Sequence, residues 1–348
     1  MLLIRKTCQT LINDLKDRTI MLKTLYNGIR YNFYTIKFVE WLLTSPLFLK
    51  NPFYQMVVKR GIRQTRNSPV ELLIELTNAC NLACVMCPHA QMKRGRGVMS
   101  PELFRKIVDE AADLKIRSIK LAGLGEPLLD KDIAGKIAYA KKKNLPVKMF
   151  TNGMLLNRQK AQQLVESGID EIFISIDGGS QAVQERLRKG SNFLQIQENL
   201  RDFKRLRREM KASGKTVPEV IINVTYQEAN KNERRLIKEI WGDLVDNIRL
   251  FPIHNWEVAV DVPRRASQPC HLPFSQMAVC WDGRIALCCI DYECQNQLGD
   301  VTKESIASIW QGTTAMGFRK YHLDCKPETI DLCRSCSMLP NWFFSAGL

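Results

Sequence analysis

The sequence predicts an α/β fold: a (β/α)6 partial TIM barrel over residues 70–255, preceded by a helical extension over 1–69 and followed by a small cysteine-rich domain over 266–348. Three observations predict this fold. Short apolar runs alternate with helical patterns from Val70 onwards, the cysteines fall into groups, and the first fifth of the chain is basic and aromatic. A chain of 348 residues, 45% of them hydrophobic, can bury a core of this size.

The amino-terminal extension carries much of the net positive charge. Residues 1–70 contain 12 Lys or Arg and 3 Asp or Glu, with 9 of the 28 aromatic residues. The longest charge-poor run, 38–49, contains Glu40 and Pro46 and is too short to cross a hydrocarbon layer of about 30 Å. We expect the extension to pack on the barrel or to form a dimer contact. Peripheral contact with an anionic membrane surface is the alternative, and nucleic-acid binding is not expected.

The start of the chain and the cysteine distribution bear on the compartment. Residues 1–6 begin with a short apolar run that ends at the charged Arg5 and Lys6, which is not the pattern of a signal peptide. We therefore expect a cytoplasmic protein rather than a secreted one. Twelve cysteines are too few for a disulfide scaffold in a chain of this length. Apart from Cys8 they lie at 80–87 and after 269, a distribution typical of metal sites.

Six apolar runs define the predicted barrel strands. Such runs suit parallel strands that are buried on both faces, and the segments between them are long enough for crossover helices. The first crossover helix has clear start signals, with Ser100 as N-cap and Pro101 at the first helical position. In such folds the chemistry lies at the carboxyl ends of the strands. The predicted strands are 71–76, 116–122, 146–150, 171–176, 217–224 and 247–251.

Three cysteines follow the first predicted strand directly, at Cys80, Cys84 and Cys87. Three thiolates within eight residues can ligate three irons of a [4Fe–4S] cluster and leave the fourth iron open to another ligand. A structural cluster would use four protein ligands. The alternatives are buried free cysteines or part of a zinc site, and neither explains why the triplet stands directly after a strand.

This Cys-x3-Cys-x2-Cys pattern resembles that of the radical SAM superfamily, over roughly residues 70–255. The resemblance implies that S-adenosylmethionine (SAM) chelates the open iron and is cleaved by one electron to methionine and a 5′-deoxyadenosyl radical, which abstracts hydrogen from a small-molecule substrate. It also implies reduced flavodoxin or ferredoxin as the electron donor. Met86 stands before the third cysteine, where the family often has an aromatic residue.

The second and third strand ends carry candidate SAM ligands. Gly125, Glu126 and Pro127 resemble the family's Gly-Gly-Glu-Pro motif, with Leu124 in place of the first glycine. The resemblance implies that Glu126 and nearby carbonyls hold the SAM ammonium group. Asn152 ends the third predicted strand and is a further candidate for cofactor binding.

The fourth strand end and the helix after it supply the remaining candidates. Ser175 and Asp177 fall on one face by strand alternation, where a hydroxyl and a carboxylate suit the ribose hydroxyls. Arg188 is a candidate partner for the SAM carboxylate, with a solvated helical arginine as the alternative.

The carboxyl-terminal part carries a second metal signal. Cys270 and Cys288 flank a predicted hairpin that turns at residues 282–283. This spacing resembles the opening of the SPASM auxiliary-cluster domain, and Cys333 and Cys336 supply its later pair. Since no cysteine follows Cys336, we expect one auxiliary [4Fe–4S] cluster on these four thiolates. The same set would also suit zinc.

Three residues near this site are interpreted separately. Cys289 adjoins a proposed ligand on a predicted strand and is expected to point to the opposite face. Asp291, just past the hairpin, is a candidate base that deprotonates a substrate radical, as in a dehydrogenase, although a surface aspartate is the commoner outcome. Cys325 is a candidate hydrogen-atom donor, as in an epimerase.

The sequence therefore predicts a radical SAM oxidoreductase or epimerase. A carbohydrate-like or lipid-linked small molecule is the preferred substrate, because the basic, aromatic extension could bring the site near a membrane. A SPASM-type ribosomal-peptide maturase is the alternative, although residues 1–70 lack the alternating pattern of a strand-rich peptide-binding module. A non-catalytic iron–sulfur or zinc protein would need a fourth ligand beside the triplet, where His89 is the nearby candidate.

Overall fold

The computed structural model describes residues 52–65, 67–254 and 270–337. The strands within these ranges are β1 (Glu71–Ile74), β2 (Ser118–Leu121), β3 (Val147–Thr151), β4 (Glu171–Ser175), β5 (Glu219–Tyr226), β6 (Asn247–Pro252), β7 (Gln276–Val279), β8 (Arg284–Ala286) and β9 (Gln297–Asp300). They form a single open sheet in the order β6-β5-β4-β3-β2-β1-β7-β8-β9. Neighbours from β6 to β7 are parallel, and β7, β8 and β9 are antiparallel to one another in turn.

The helices lie mainly between the strands. The described α-helices are α1 (Pro52–Gln64), α2 (Pro101–Asp113), α3 (Ile133–Lys142), α4 (Arg158–Glu166), α5 (Gln181–Leu187), α6 (Phe193–Ala212), α7 (Arg234–Trp241), α8 (Leu272–Ser275), α9 (Ile306–Gln311), α10 (Thr313–Leu323) and α11 (Asp331–Arg334). Short 3-10 helices lie at Pro88–Gln91, Pro127–Leu129, Glu228–Asn230, Gly242–Leu244 and Pro327–Thr329.

The predicted partial barrel is confirmed. Each of the six apolar runs overlaps one of the strands β1 to β6, and a helix follows each of the first five. Helix α2 begins where the sequence predicts, because the Leu103 amide donates to the Ser100 hydroxyl at 3.1 Å and Pro101 occupies the first turn.

The two faces of the sheet differ in polarity. Leu72 and Ile119 belong to the apolar core that the strands share with the helices. On the opposite face, Glu71 accepts hydrogen bonds from Lys120 at 2.5 Å and from Gln276 at 3.1 Å. Glu71 and Gln276 are 2% and 7% exposed, so these strands are buried on both faces as expected, with charged and polar pairs on the inner face.

The carboxyl-terminal segment extends the barrel sheet, which the sequence did not predict. Strand β7 pairs in parallel with β1, from Glu71 opposite Gln276 to Ile74 opposite Val279. The expected hairpin follows, and Gly283 takes a φ of +93° at its turn, a conformation that favours glycine. The expected boundary between the two domains falls within 255–269, outside the described residues, and stays a prediction.

The extension is described only from residue 52 onwards. Its helix α1 packs against α8, and Trp310 donates its indole N–H to the Thr65 carbonyl at 2.9 Å. These contacts of the last part of the extension are with the carboxyl-terminal segment, whereas the sequence led us to expect the barrel, and the expectations for residues 1–51 lie outside the described ranges. Across the described parts of the chain, no helix combines the length and apolar character needed to span a membrane.

Replacement of Ser100 by Ala tests the start of α2. The change removes the hydroxyl that accepts from Leu103, so we expect unfolding to become easier by about 1 kcal/mol in urea titrations followed by circular dichroism. Ser308→Ala is the matched control, because Ser308 is exposed within α9 and caps no helix. Equal stability of the two variants would contradict the capping role.

Candidate functional site

The cysteine triplet lies on the loop beyond the carboxyl end of β1. Cys80, Cys84 and Cys87 are each partly buried, and burial raises the pKa of all three thiols, that of Cys87 to about 11. Negative charge on Cys84 or Cys80 opposes ionisation of Cys87, so the three sulfurs are near neighbours. Thiols in this setting ionise together only when a cation neutralises them, as metal ligation does.

Backbone amides favour negative charge on two of these sulfurs. The N–H of Leu82 donates to Cys80, and the N–H of His89 donates to Cys87. Hydrogen bonds of this kind stabilise ligand sulfur in iron–sulfur sites, so the loop fits such a group. The His89 ring donates from Nε2 to the Asn78 carbonyl oxygen at 2.9 Å.

Arg188 is held beside the triplet by the backbone. The amides of Ala83 and Val85 each donate at 2.9 Å to carbonyls within 187–189, which pins the cysteine loop to the segment after α5. Nη1 of Arg188 then lies 3.9 Å from Sγ of Cys84 and lowers the pKa of that thiol against the larger effect of burial. A solvated arginine is therefore not what the fold produces at this position.

Asp177 is the counter-ion of Arg188. Oδ2 of Asp177 lies 2.8 Å from Nε of Arg188, and the two side chains are 0% and 11% exposed. The Thr225 amide donates to Oδ1 of Asp177 at 2.6 Å. Burial raises the pKa of Asp177, which the Arg188 charge counters. Asp177, which was expected at the ribose, thus forms an ion pair with Arg188, which was expected at the SAM carboxylate. Arg188 is in turn in contact with Cys84.

Glu126 joins the ends of β2 and β3. Its carboxylate accepts from the Thr151 hydroxyl at 2.7 Å and from the amides of Asn152 at 2.7 Å and Leu128 at 3.0 Å. Burial raises the pKa of Glu126, while these donors favour its ionised form. A carboxylate has about four acceptor sites, so three donors leave capacity for one more, such as an ammonium group.

Gly125 lies against the start of the cysteine loop. A Cβ at this position would stand 2.0 Å from the Thr77 carbonyl oxygen and 2.7 Å from that of Ala79, and the Glu126 amide donates to the Ala79 carbonyl at 2.8 Å. The motif therefore packs backbone on backbone, and the absence of a side chain is what permits this approach.

The other predicted strand-end residues lie near the same edge of the sheet. Asn152 donates from Nδ2 to the side chain of Asn81 at 2.8 Å, which links the end of β3 to the cysteine loop. Ser175 is partly buried at the end of β4, opposite Asn223 of β5. Cofactor binding by Asn152 and Ser175 stays a prediction.

Aromatic and cationic groups line the inner face of β3, β4 and β6. Phe150 and Phe173 stack with their ring centroids 4.5 Å apart. The Arg249 guanidinium lies 5.2 Å from the centroid of Phe173 and 4.9 Å from that of Phe251. Phe173 is buried in this cluster, so the rings open to a substrate group are the partly buried Phe150 and the exposed Phe251.

The four proposed auxiliary ligands also lie close together. Burial raises the pKa of Cys270 and Cys288, and negative charge on Cys333 raises it further in both cases. Cys336 acts on Cys270 in the same way. Backbone N–H groups of residues 272 and 290 donate to the sulfurs of Cys270 and Cys288, as in the first loop.

Cys289 is not directed away from this group. Strand β8 ends at Ala286, so Cys289 lies in a turn and strand alternation does not apply to it. Its charge raises the pKa of Cys270 and Cys288, which makes it a fifth thiol of the same neighbourhood. No three His, Cys, Asp or Glu side chains of the described residues are arranged around a single metal ion, so the fit to a cluster rests on the proximity of the thiols and on the N–H donors.

Asp291 and Cys325, the two catalytic candidates, occupy different settings. The Asp291 carboxylate accepts from the amides of Leu287 at 3.4 Å, Gln295 at 2.9 Å and Asn296 at 3.0 Å, so it organises the loop after β8. Cys325 is exposed on the turn after α10. A catalytic role for either stays a prediction, and the contacts of Asp291 account for its burial without one.

Sequence reasoning missed a bridge between the two cysteine groups. Arg94, seven residues after Cys87, forms a double hydrogen bond with the buried Glu75 at 2.6 and 2.5 Å. Arg94 also donates from Nε to the Tyr292 carbonyl, and its amide donates to Glu293 at 3.0 Å. The loop that follows Cys288 is thereby tied to the segment that follows the triplet.

His322 is the other residue that the sequence did not single out. It is 1% exposed on α10, and burial lowers its pKa to about 4. Nδ1 lies 3.3 Å from the Cys270 nitrogen and Nε2 lies 3.8 Å from Sγ of Cys333. A histidine separated by 52 and 11 residues from these partners has no local sequence signal.

Two family models match the chain. The model described as the radical SAM superfamily matches residues 74–231, and SPASM, described as an iron-sulfur cluster-binding domain, matches residues 270–337. These ranges contain the first cysteine triplet and the four proposed auxiliary ligands, respectively.

Curated relatives and a solved structure add to this result. Mycofactocin maturase MftC of Mycobacterium ulcerans is 34% identical over 127 residues, 36% of this chain and 34% of the relative. The PqqA peptide cyclase of Granulibacter bethesdensis is 29% identical over 185 residues, 47% of this chain and 49% of the relative. The chain thus spans half or less of these relatives. The crystal structure of BtrN in complex with AdoMet and 2-DOIA shares the fold, with a TM-score of 0.55 at 19% identity over 78% of this chain and 93% of BtrN.

Replacement of Gly125 by Ala tests the close packing of the motif. Because the new methyl group would overlap backbone oxygens that cannot rotate away, we expect a loss of about 1–3 kcal/mol in unfolding free energy and weaker retention of iron at the first site. Gly95→Ala is the matched control, since a Cβ there meets nothing within 4 Å. Similar stability and iron content in both variants would contradict this account.

Proposed function

We propose that this chain, which belongs to the radical SAM superfamily and carries a carboxyl-terminal SPASM domain, is an enzyme that modifies a peptide by hydrogen abstraction. The observation that carries the peptide assignment is the likeness to a mycofactocin maturase and a PqqA peptide cyclase, whose names describe peptide or maturation chemistry. The carbohydrate-like or lipid-linked substrate preferred from the sequence has less support, because it rested on the extension and not on the site.

The two domains imply a SAM-binding [4Fe–4S] cluster, an auxiliary [4Fe–4S] cluster and SAM as cofactors. When bound, the first cluster and SAM supply the hydrogen-abstraction chemistry. We assign Cys80, Cys84 and Cys87 to the first cluster and Cys270, Cys288, Cys333 and Cys336 to the auxiliary one, with N–H donors at several of these sulfurs in support.

The protein groups around the first cluster have distinct tasks in this proposal. Glu126, fixed by three donors, offers its remaining acceptor capacity to the SAM ammonium group. Arg188 brings positive charge to the SAM carboxylate and to Cys84, and Asp177 fixes its position. Since both ions of this pair are buried, their geometry is set before any ligand arrives.

The substrate would lie along the inner face of the open sheet. Phe150, which stacks on the buried Phe173, and the exposed Phe251 offer apolar surface, and Arg249 adds a positive charge between Phe173 and Phe251. An aromatic or aliphatic side chain of a peptide and a nearby carboxylate match this pair of surfaces. The described strands form an open sheet rather than a closed barrel, and in this proposal an extended chain lies along its inner face.

Iron analysis tests the cluster assignment. Anaerobically reconstituted protein is expected to hold about 8 irons, as two four-iron clusters require, and Cys84→Ala and Cys333→Ala are each expected to lower this to about 4. Cys325→Ala is the matched control, because that thiol is exposed and belongs to neither group. About 4 irons with one zinc in the unmodified protein would show that the auxiliary site holds zinc rather than an iron–sulfur cluster.

Deuterium transfer tests the substrate class. The reduced enzyme is incubated with SAM and a deuterated candidate peptide, and we expect deuterium in the 5′-deoxyadenosine and a peptide mass lowered by hydrogen loss. The Cys84→Ala variant, which lacks one ligand of the first site, serves as the negative control. Deuterium uptake from a deuterated aminocyclitol or sugar, with none from the peptide, would reject the peptide proposal in favour of a small-molecule substrate.

A further inference from the structure

His322 contacts two of the thiol-bearing residues assigned above to the auxiliary cluster, so this inference rests on that assignment. The imidazole is 1% exposed and lies on α10, between the amide of Cys270 and the sulfur of Cys333. The two contacts use different ring nitrogens, at 3.3 Å for Nδ1 and 3.8 Å for Nε2. None of the steps proposed so far uses this ring.

The first contact determines which ring nitrogen carries the hydrogen. The partner of Nδ1 is a backbone N–H, which can only donate, so Nδ1 must present its lone pair. A neutral imidazole has one N–H, which is then on Nε2. Nε2 faces Sγ of Cys333, so the ring presents a donor to that sulfur.

Hydrogen-bond donation by Nε2 and metal ligation by Nε2 require different tautomers of the ring. Ligation of iron or zinc through Nε2 would require the lone pair on Nε2 and the hydrogen on Nδ1. That hydrogen would face the Cys270 N–H, so two donors would oppose one another beside a ring that is 1% exposed. The observed pairing therefore favours Cys333, rather than His322, as the ligand.

We propose that His322 is a positioning residue that donates an Nε2–H hydrogen bond to the ligating sulfur of Cys333 and thereby raises the reduction potential of the auxiliary cluster. A donor to a ligand sulfur stabilises the additional negative charge of the reduced cluster more than the smaller charge of the oxidised one. Acceptance from Cys270 by Nδ1 fixes the ring in the orientation that makes this bond.

The bond would favour a particular direction of electron flow. A cluster of higher potential accepts an electron more readily, and removal of two electrons from a substrate requires an acceptor for the second one. His322 would therefore support an oxidative outcome at this site, in keeping with the dehydrogenase alternative.

A redox titration of the full-length, anaerobically reconstituted protein tests the proposal. EPR follows both clusters in wild type, His322→Leu and His322→Gln. We expect His322→Leu to keep the wild-type iron content and to shift the auxiliary midpoint potential to more negative values. His322→Gln, whose amide can still donate, is expected to recover part of the shift, and the first cluster serves as the internal reference. Tyr321→Phe is the matched control, since Tyr321 is the exposed neighbour on the same helix.

Three results would overturn the proposal in distinguishable ways. An unchanged auxiliary potential in His322→Leu at full iron content would reduce His322 to a packing residue. Loss of the auxiliary cluster from both variants, together with strong coupling to nitrogen in pulsed EPR of wild-type protein containing 15N-histidine, would make His322 a ligand. Absence of a second cluster from the wild-type protein would show instead that the auxiliary assignment had failed. The pulsed measurement needs no variant, so it is decisive even where a substitution prevents folding, and weak coupling would support the donor role.

Discussion

Strand β1 is the constraint on which the arrangement of both cysteine groups depends. It pairs in parallel with β2 on one side and with β7 on the other, so the loops that leave β1 and β7 emerge at the same edge of the sheet. The first triplet follows β1, while the hairpin that leads to Cys288 follows β7. Glu75, at the end of β1, binds Arg94, which in turn binds the loop after β8. The two groups of thiols are thereby held in place by one sheet.

Burial creates the electrostatic character of both groups. Each proposed ligand of known pKa direction is shifted away from ionisation, mainly because it is removed from water. Arg188 and several backbone N–H groups oppose that shift but do not reverse it. Ionisation of these thiols therefore requires a nearby positive charge, and the sites already contain groups that stabilise thiolate. In such an environment, binding of an iron–sulfur cluster contributes to folding as well as to reactivity.

Much of the frame and the cysteine triplet could be predicted from the sequence, because local patterns encode them. Apolar runs gave the six barrel strands, and Ser100 and Pro101 gave the start of α2. The burial of Arg188 could not be predicted, since it depends on hydrogen bonds between the cysteine loop and a segment about a hundred residues later. The position of Cys289 depended on where β8 ends, and the position of His322 on the packing of α10 against Cys270. Such contacts are tertiary and produce no periodic pattern in the sequence.

The pairing of β1 with β7 also bears on how the protein is made. Glu71 and Gln276 are opposite one another across roughly 200 residues of chain, so β1 leaves the ribosome long before its second neighbour exists. Until then one edge of β1 lacks its final partner, and the cysteine loop beside it lacks the contacts that come from the later hairpin. The full surroundings of the first cysteine loop therefore form only after the chain has been synthesised through β7 and the hairpin that follows it.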